Sequence, residues 1–165
     1  MSVCALIPVE DYLRTAYSPD CEYVDGELME RKVGERPHSL VQRKLIGWFL
    51  KQHAELQVWP EQRVQVSPNR FRIPDVSVTL DDPGTDIFHT PPLIVIEILS
   101  KDDSLSLLQE KIDDYLAFGV TNVWVIDPRV RIAYVCEPSV IRKVTGDAFE
   151  IAEPSTRLPL AELFG

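Results

Sequence analysis

Seven consecutive residues, Leu93-Ile94-Val95-Ile96-Glu97-Ile98-Leu99, limit the folds open to this chain more than any other stretch. Glu97 apart, the run is wholly apolar, the pattern of a central strand covered on both faces. The covering elements are legible on either side. From Pro37 to His53, Leu40, Val41, Leu45, Trp48 and Phe49 recur at helical period, with Arg43, Lys44 and Lys51 on or near the opposite side. A second helix is predicted up to Phe118, capped by Ser104 or Ser106 and ended by Gly119, with Leu105, Leu108, Ile112, Tyr115 and Leu116 as its apolar stripe. Alternation predicts strands over Val58–Pro68 and Ile73–Leu80; in the second, Val76 and Val78 oppose Asp75, Ser77 and Thr79. Asn122–Ile126 and Ile132–Cys136 are expected strands, and Val9–Tyr17 is weakly helical. An N-terminal hairpin turns on Asp25-Gly26, and a C-terminal one is expected to pair Val140–Val144 with Phe149–Ile151 around Gly146-Asp147. The sum is a mixed α/β fold, a sheet with helices packed on it. With 165 residues, a single domain spanning residues 1–165 is expected, its core including Trp48, Trp59 and Trp124.

Several classes are excluded. The apolar stretch Pro91–Leu99 is far short of the roughly 18 residues a membrane span needs. The opening MSVCALIPVEDYL has no basic start and meets Glu10 and Asp11 at once, unlike a signal peptide. Cys4, Cys21 and Cys136 form no CxxC pair and read as reduced thiols, so a cytoplasmic protein is expected. Net charge is −9, but its distribution is uneven: residues 36–74 carry 7 basic and 2 acidic side chains, and residues 75–115 carry 2 and 10. Such an acidic block is either a solvated face or a divalent-cation site.

Glu97 is the residue that speaks to chemistry. A carboxylate inside an apolar strand carries a desolvation penalty of several kcal/mol unless it is paired, protonated or bound to a metal. An arginine partner, or a strand end half in water, would satisfy it. So would a cation shared with Asp75, which follows Pro74 at the start of a strand on the face opposite Val76 and Val78. Two acids at matching levels of neighbouring strands repel each other unless a cation lies between them. Oxygen donors of this kind suit Mg²⁺ or Mn²⁺, and the reaction such an ion assists is phosphodiester hydrolysis.

Taken together, Pro74-Asp75-Val76-Ser77-Val78, the stretch PPLIVIEILSKDDS (91–104) and KIDDYLAFGVTNVWVIDP (111–128) resemble the PD-(D/E)xK nuclease superfamily. More narrowly, with the hairpin CEYVDGELME (21–30) and the helix start Pro37-His38, the chain is similar to the Uma-type restriction endonuclease family. The resemblance implies a restriction-endonuclease-like core and a divalent metal, Mg²⁺ or Mn²⁺, bound by Asp75, Glu97 and the backbone carbonyl of Ile98. It also implies DNA as substrate. Duplex cutters often pair two active sites, so a homodimer is expected. The motif's lysine, two residues after Glu97, falls on Leu99; in the Uma-type branch it comes from the following helix, where Lys111 and Tyr115 match a K…Y pattern. Lys111 therefore completes the catalytic set, with Lys101 as rival donor. Glu27 and His38 match positions recurrent in the family, and Gln42 shares the face of His38, so these three are auxiliary candidates. Two other functions fit the same residues: a nuclease-fold binding or regulatory module without catalysis, and a phosphohydrolase of small substrates.

Overall fold

The computed structural model describes residues 5–32 and 34–165, so Cys4 lies outside the described residues. Cys21 and Cys136 are free, buried thiols. The first half of the chain forms α1 (Val9–Arg14), β1 (Cys21–Val24), β2 (Glu27–Glu30), α2 (Arg36–Gln52), β3 (Gln57–Pro60), β4 (Val64–Ser67), β5 (Arg70–Arg72) and β6 (Val76–Thr79). The second forms β7 (Ile94–Ile98), α3 (Leu105–Phe118), β8 (Asn122–Asp127), β9 (Ile132–Glu137), β10 (Val140–Lys143), β11 (Ala148–Ile151), β12 (Thr156–Pro159) and α4 (Leu160–Phe164).

All five residues of β7 are buried, inside a six-stranded sheet of order β10-β9-β8-β7-β6-β3. β7 runs parallel to β8, and α3 makes the crossover between them. The other neighbours in this sheet are antiparallel. Because strand side chains alternate, Ile94, Ile96 and Ile98 emerge on one face with Val76, Val78 and Trp124, where α2 covers them with Val41, Leu45 and Phe49. Val95, Val123 and Val125 emerge on the other, covered by Ile112 and Tyr115 of α3 together with Val64, Val66 and Phe88. Val64 and Val66 belong to a second, antiparallel sheet of order β2-β1-β5-β4. The run is thus sheathed on both sides, and the mixed α/β expectation holds.

Local signals explain the boundaries. Ser104 Oγ accepts the Leu107 N–H at the start of α3, and Gly119 ends the helix at φ 108°. Asp25 (φ 50°) and Gly26 (φ 96°) make the first hairpin turn, the geometry an Asp-Gly pair favours. Trp124 stacks on Phe149 with ring centroids 4.3 Å apart, while Trp48 and Trp59 are only partly buried.

Three features depart from the sequence expectations. Val58–Pro68 is two strands in different sheets, because Pro60 cannot donate to a ladder and Glu61 turns the chain at φ 51°. Arg70–Arg72 is a strand although two of its three residues are charged, since carboxylates of other elements neutralise both arginines. The expected C-terminal hairpin does not form. Val140–Lys143 folds back on β9, turning at Ser139 (φ 61°), and β11 pairs instead with β12, Phe149 facing Leu158.

Candidate active site

Asp75 immediately precedes β6, whose register pairs Val76 with Ile96. One step further along both strands, Asp75 stands level with Glu97, and alternation puts both on the α3 face of the sheet. Asp75 Oδ2 accepts the N–H of Ile98 at 2.7 Å. Its Oδ1 receives His38 Nε2 at 3.1 Å and Arg31 Nη2 at 3.2 Å. Gln42 Nε2 donates to the Asp75 backbone carbonyl at 2.9 Å. Two successive turns of α2 therefore grip the same residue, one at its side chain and one at its backbone.

Glu97 is gripped from the other side. Tyr115 Oη donates to its Oε1 at 2.6 Å and Lys111 Nζ to its Oε2 at 3.0 Å. The two donors lie four residues apart on α3, hence on one face. Lys111 Nζ also stands 3.1 Å from Glu22 Oε1. Glu22 accepts the Ile73 N–H at 2.9 Å and pairs with Arg72 Nη1 at 3.0 Å. Arg72, whose side chain is 3% exposed, continues to Asp114 and Glu110 of α3. Glu22, Arg31, His38, Arg72, Asp75, Glu97 and Lys111 line a cleft of about 130 Å³ that also takes in Ile98, Ser100 and Asp103.

Burial and crowding set the protonation states. Desolvation pushes the Glu97 carboxyl up to about 7; the Lys111 charge opposes this, and the neighbouring Asp75 and Glu22 charges add to it. Burial also resists ionisation of Asp75, but the hydrogen bond and charge of His38, the Lys111 charge and the Ile98 N–H outweigh it and hold the group below the usual range. Glu22 is likewise held low: Lys111, Arg72 and the Ile73 N–H overcome its burial. Lys111 is buried, yet Glu97, Glu22 and Asp75 raise it above an ordinary lysine, so it stays charged.

Residues 9–162 match a family described as "Uma2: Putative restriction endonuclease". The chain belongs to the Uma2 family. The crystal structure of a "putative nuclease belonging to DUF820" from Anabaena variabilis has the same fold: the TM-score is 0.78 at 22% identity, covering 96% of this chain and 97% of that one. No curated protein matches the sequence.

In this Uma2 chain the expected residues divide between cleft and surface. Asp75, Glu97, Ile98, Lys111 and His38 line the cleft, and Gln42 supports it from behind. Lys101 does not reach it: its side chain is 62% exposed and pairs with Glu35 at 3.0 Å. Glu27 does not either, standing exposed at the start of β2. The acid that the hairpin contributes is Glu22, which sequence reasoning missed together with Arg31 and Arg72. No local signal marks them: Arg72 shares its three-residue strand with Arg70, and Glu22 lies among other acids, so each becomes the other's solution to burial only once the strands meet. Among the described residues no group of three or more His, Cys, Asp or Glu is arranged to hold a metal unaided. Two carboxylates and a backbone carbonyl nevertheless suit a hard dication that keeps several waters, and the cleft has room for them. The donor set thus fits Mg²⁺ or Mn²⁺ in kind. No helix among the described residues is long and apolar enough to cross a membrane.

Proposed function

We propose that the chain is a divalent-metal-dependent nuclease that hydrolyses DNA phosphodiester bonds at this cleft. The observation that carries the reading is the level pairing of Asp75 and Glu97 on one face of neighbouring strands, with Lys111 Nζ 3.0 Å from Glu97. Asp75, Glu97 and the Ile98 carbonyl are the residues that would hold Mg²⁺ or Mn²⁺. When bound, such an ion supplies Lewis acidity, acidifying water and screening phosphoryl charge. The chain's own groups do the rest. Lys111, kept cationic by its three acids, donates to the attacking water and offsets the negative charge that grows on the phosphate oxygens as the P–O bond breaks. Glu22 and Glu97 fix the lysine between them. Tyr115 fixes Glu97, and His38, Arg31 and Gln42 fix Asp75. A duplex presents two strands of opposite polarity, so we extend the reading to a two-fold homodimer with one cleft per strand.

The experiment is cleavage of plasmid and oligonucleotide DNA with Mg²⁺ or Mn²⁺ by the wild type, Asp75→Ala, Glu97→Ala and Lys111→Met. Metal-dependent cutting is expected in the wild type alone, and equal activity in all four would assign the cutting to a contaminant. One observation favours a second reading, a nuclease-fold module that binds without cleaving: all four oxygens of Asp75 and Glu97 already have protein partners. Calorimetric titration separates the two, since the binding module takes up no Mg²⁺ or Mn²⁺ at Asp75.

A further inference from the structure

α2 contains Arg36, Arg43, Lys44 and Lys51 and no acidic residue, in a chain of net charge −9. Lys44 is engaged by the carbonyls of Leu163 and Gly165 at 3.2 and 2.7 Å. Arg31, Arg63, Arg70 and Arg72 are all held in ion pairs, whereas Arg36, Arg43 and Lys51 are exposed and make none among the described residues. At 100° per residue the three fall within a stripe about 80° wide and about 22 Å long. His38, Val41, Leu45 and Phe49 fill the buried side of the helix.

Gly47 lies in the middle of that stripe, exposed, and a Cβ added there would meet nothing within 4 Å. Glycine inside a helix is destabilising relative to alanine, and among the described residues no neighbour requires its small size. A ligand lying flush on the helix would. The α3 flank offers no such row of cations: Glu110 and Asp114 are paired with Arg70 and Arg72, and the helix's one cation, Lys111, is turned into the cleft. A polyanion finds unpaired cations along α2 instead, whose first turn delivers His38 to the cleft.

We propose that the solvent face of α2, marked by Arg36, Arg43, Gly47 and Lys51, is a docking track for one phosphate backbone of duplex DNA. The assignment rests on the nuclease reading above. The cations are spaced by about 10 to 12 Å along the axis.

The test is binding rather than cleavage: anisotropy of a fluorescent 20-base-pair duplex in EDTA, titrated with salt. Arg43→Glu and Lys51→Glu are each expected to weaken binding about tenfold and to flatten the slope of log affinity against log salt by about one. Gly47→Gln should weaken binding with the slope unchanged. Lys143→Glu, on the β10 edge, should bind like the wild type. Circular dichroism, expected to be unchanged, separates lost binding from lost fold. If wild type binds with a steep salt slope and the α2 variants match it, DNA lies elsewhere and only the track is overturned. If wild type shows no salt-dependent binding, the nuclease reading falls with it.

Discussion

Glu97 holds a proton more tightly in the folded chain than in the unfolded one, because burial pushes it up to about 7. The sign follows from linkage. Its contribution to stability is complete below the ordinary carboxylate range and is lost as pH rises through about 7. Glu97→Gln removes that dependence, so melting curves between pH 5 and pH 8 should show the variant gaining on the wild type as pH rises. The same variant should lose metal-dependent cleavage, and a constant difference in melting temperature across the range would contradict the assigned proton. Lys111→Met addresses the other half of the pair. It removes the cation that three acids share, and cleavage should fall about a hundredfold or more at saturating metal. Glu97 was readable from the sequence because a lone acid in a strand buried on both faces has few ways to exist. Glu22 was not, because β1 is four residues long and lies among other acids, so nothing local distinguishes it from exposed Glu27. What separates them is the docking of the small sheet on α3, a long-range contact.

α2 and α3 were legible in type and nearly in extent, since periodicity, the Ser104 cap and the Gly119 stop are local signals. The pairing of the strands after Lys143 was not. Gly146-Asp147 looks like a hairpin turn, but the two-residue link Pro138-Ser139 captures β10 first and leaves β11 to pair with β12, whose sequence Thr156-Arg157-Leu158-Pro159 carries little strand signal. Two glycines test the helices in opposite senses. Gly119 has φ 108°, and a Cβ there would come within 3.3 Å of Pro91 Cγ, so Gly119→Ala should cost about 1–2 kcal/mol in urea unfolding. Gly47 is helical with open space around it, so Gly47→Ala should stabilise by about 0.5–1 kcal/mol in the same assay.

At the scale of the whole molecule, the cleft exists only where the two sheets meet. The large sheet supplies Asp75 and Glu97, the small one supplies Glu22, and Arg72 ties the small sheet to Asp114 and Glu110 of α3. Arg72→Met should therefore be severe, about 3–5 kcal/mol, because it leaves Glu22 buried without its guanidinium partner. Denaturant unfolding of the variant checks the figure. If the sheets dock through apolar contacts alone, the loss will be under about 1 kcal/mol, as for a surface pair. The sequence pointed to both sheets' residues but not to this seam, since its ion pairs join positions as far apart as Arg72 with Glu110 and Glu22 with Lys111.

The seam makes the cleft's integrity indivisible. A copy whose small sheet has peeled away keeps Asp75 and Glu97 on their strands, yet Lys111 has lost one of its two tethers. Under the proposed nuclease reading, partial unfolding should leave a silent molecule rather than a slow, indiscriminate cutter.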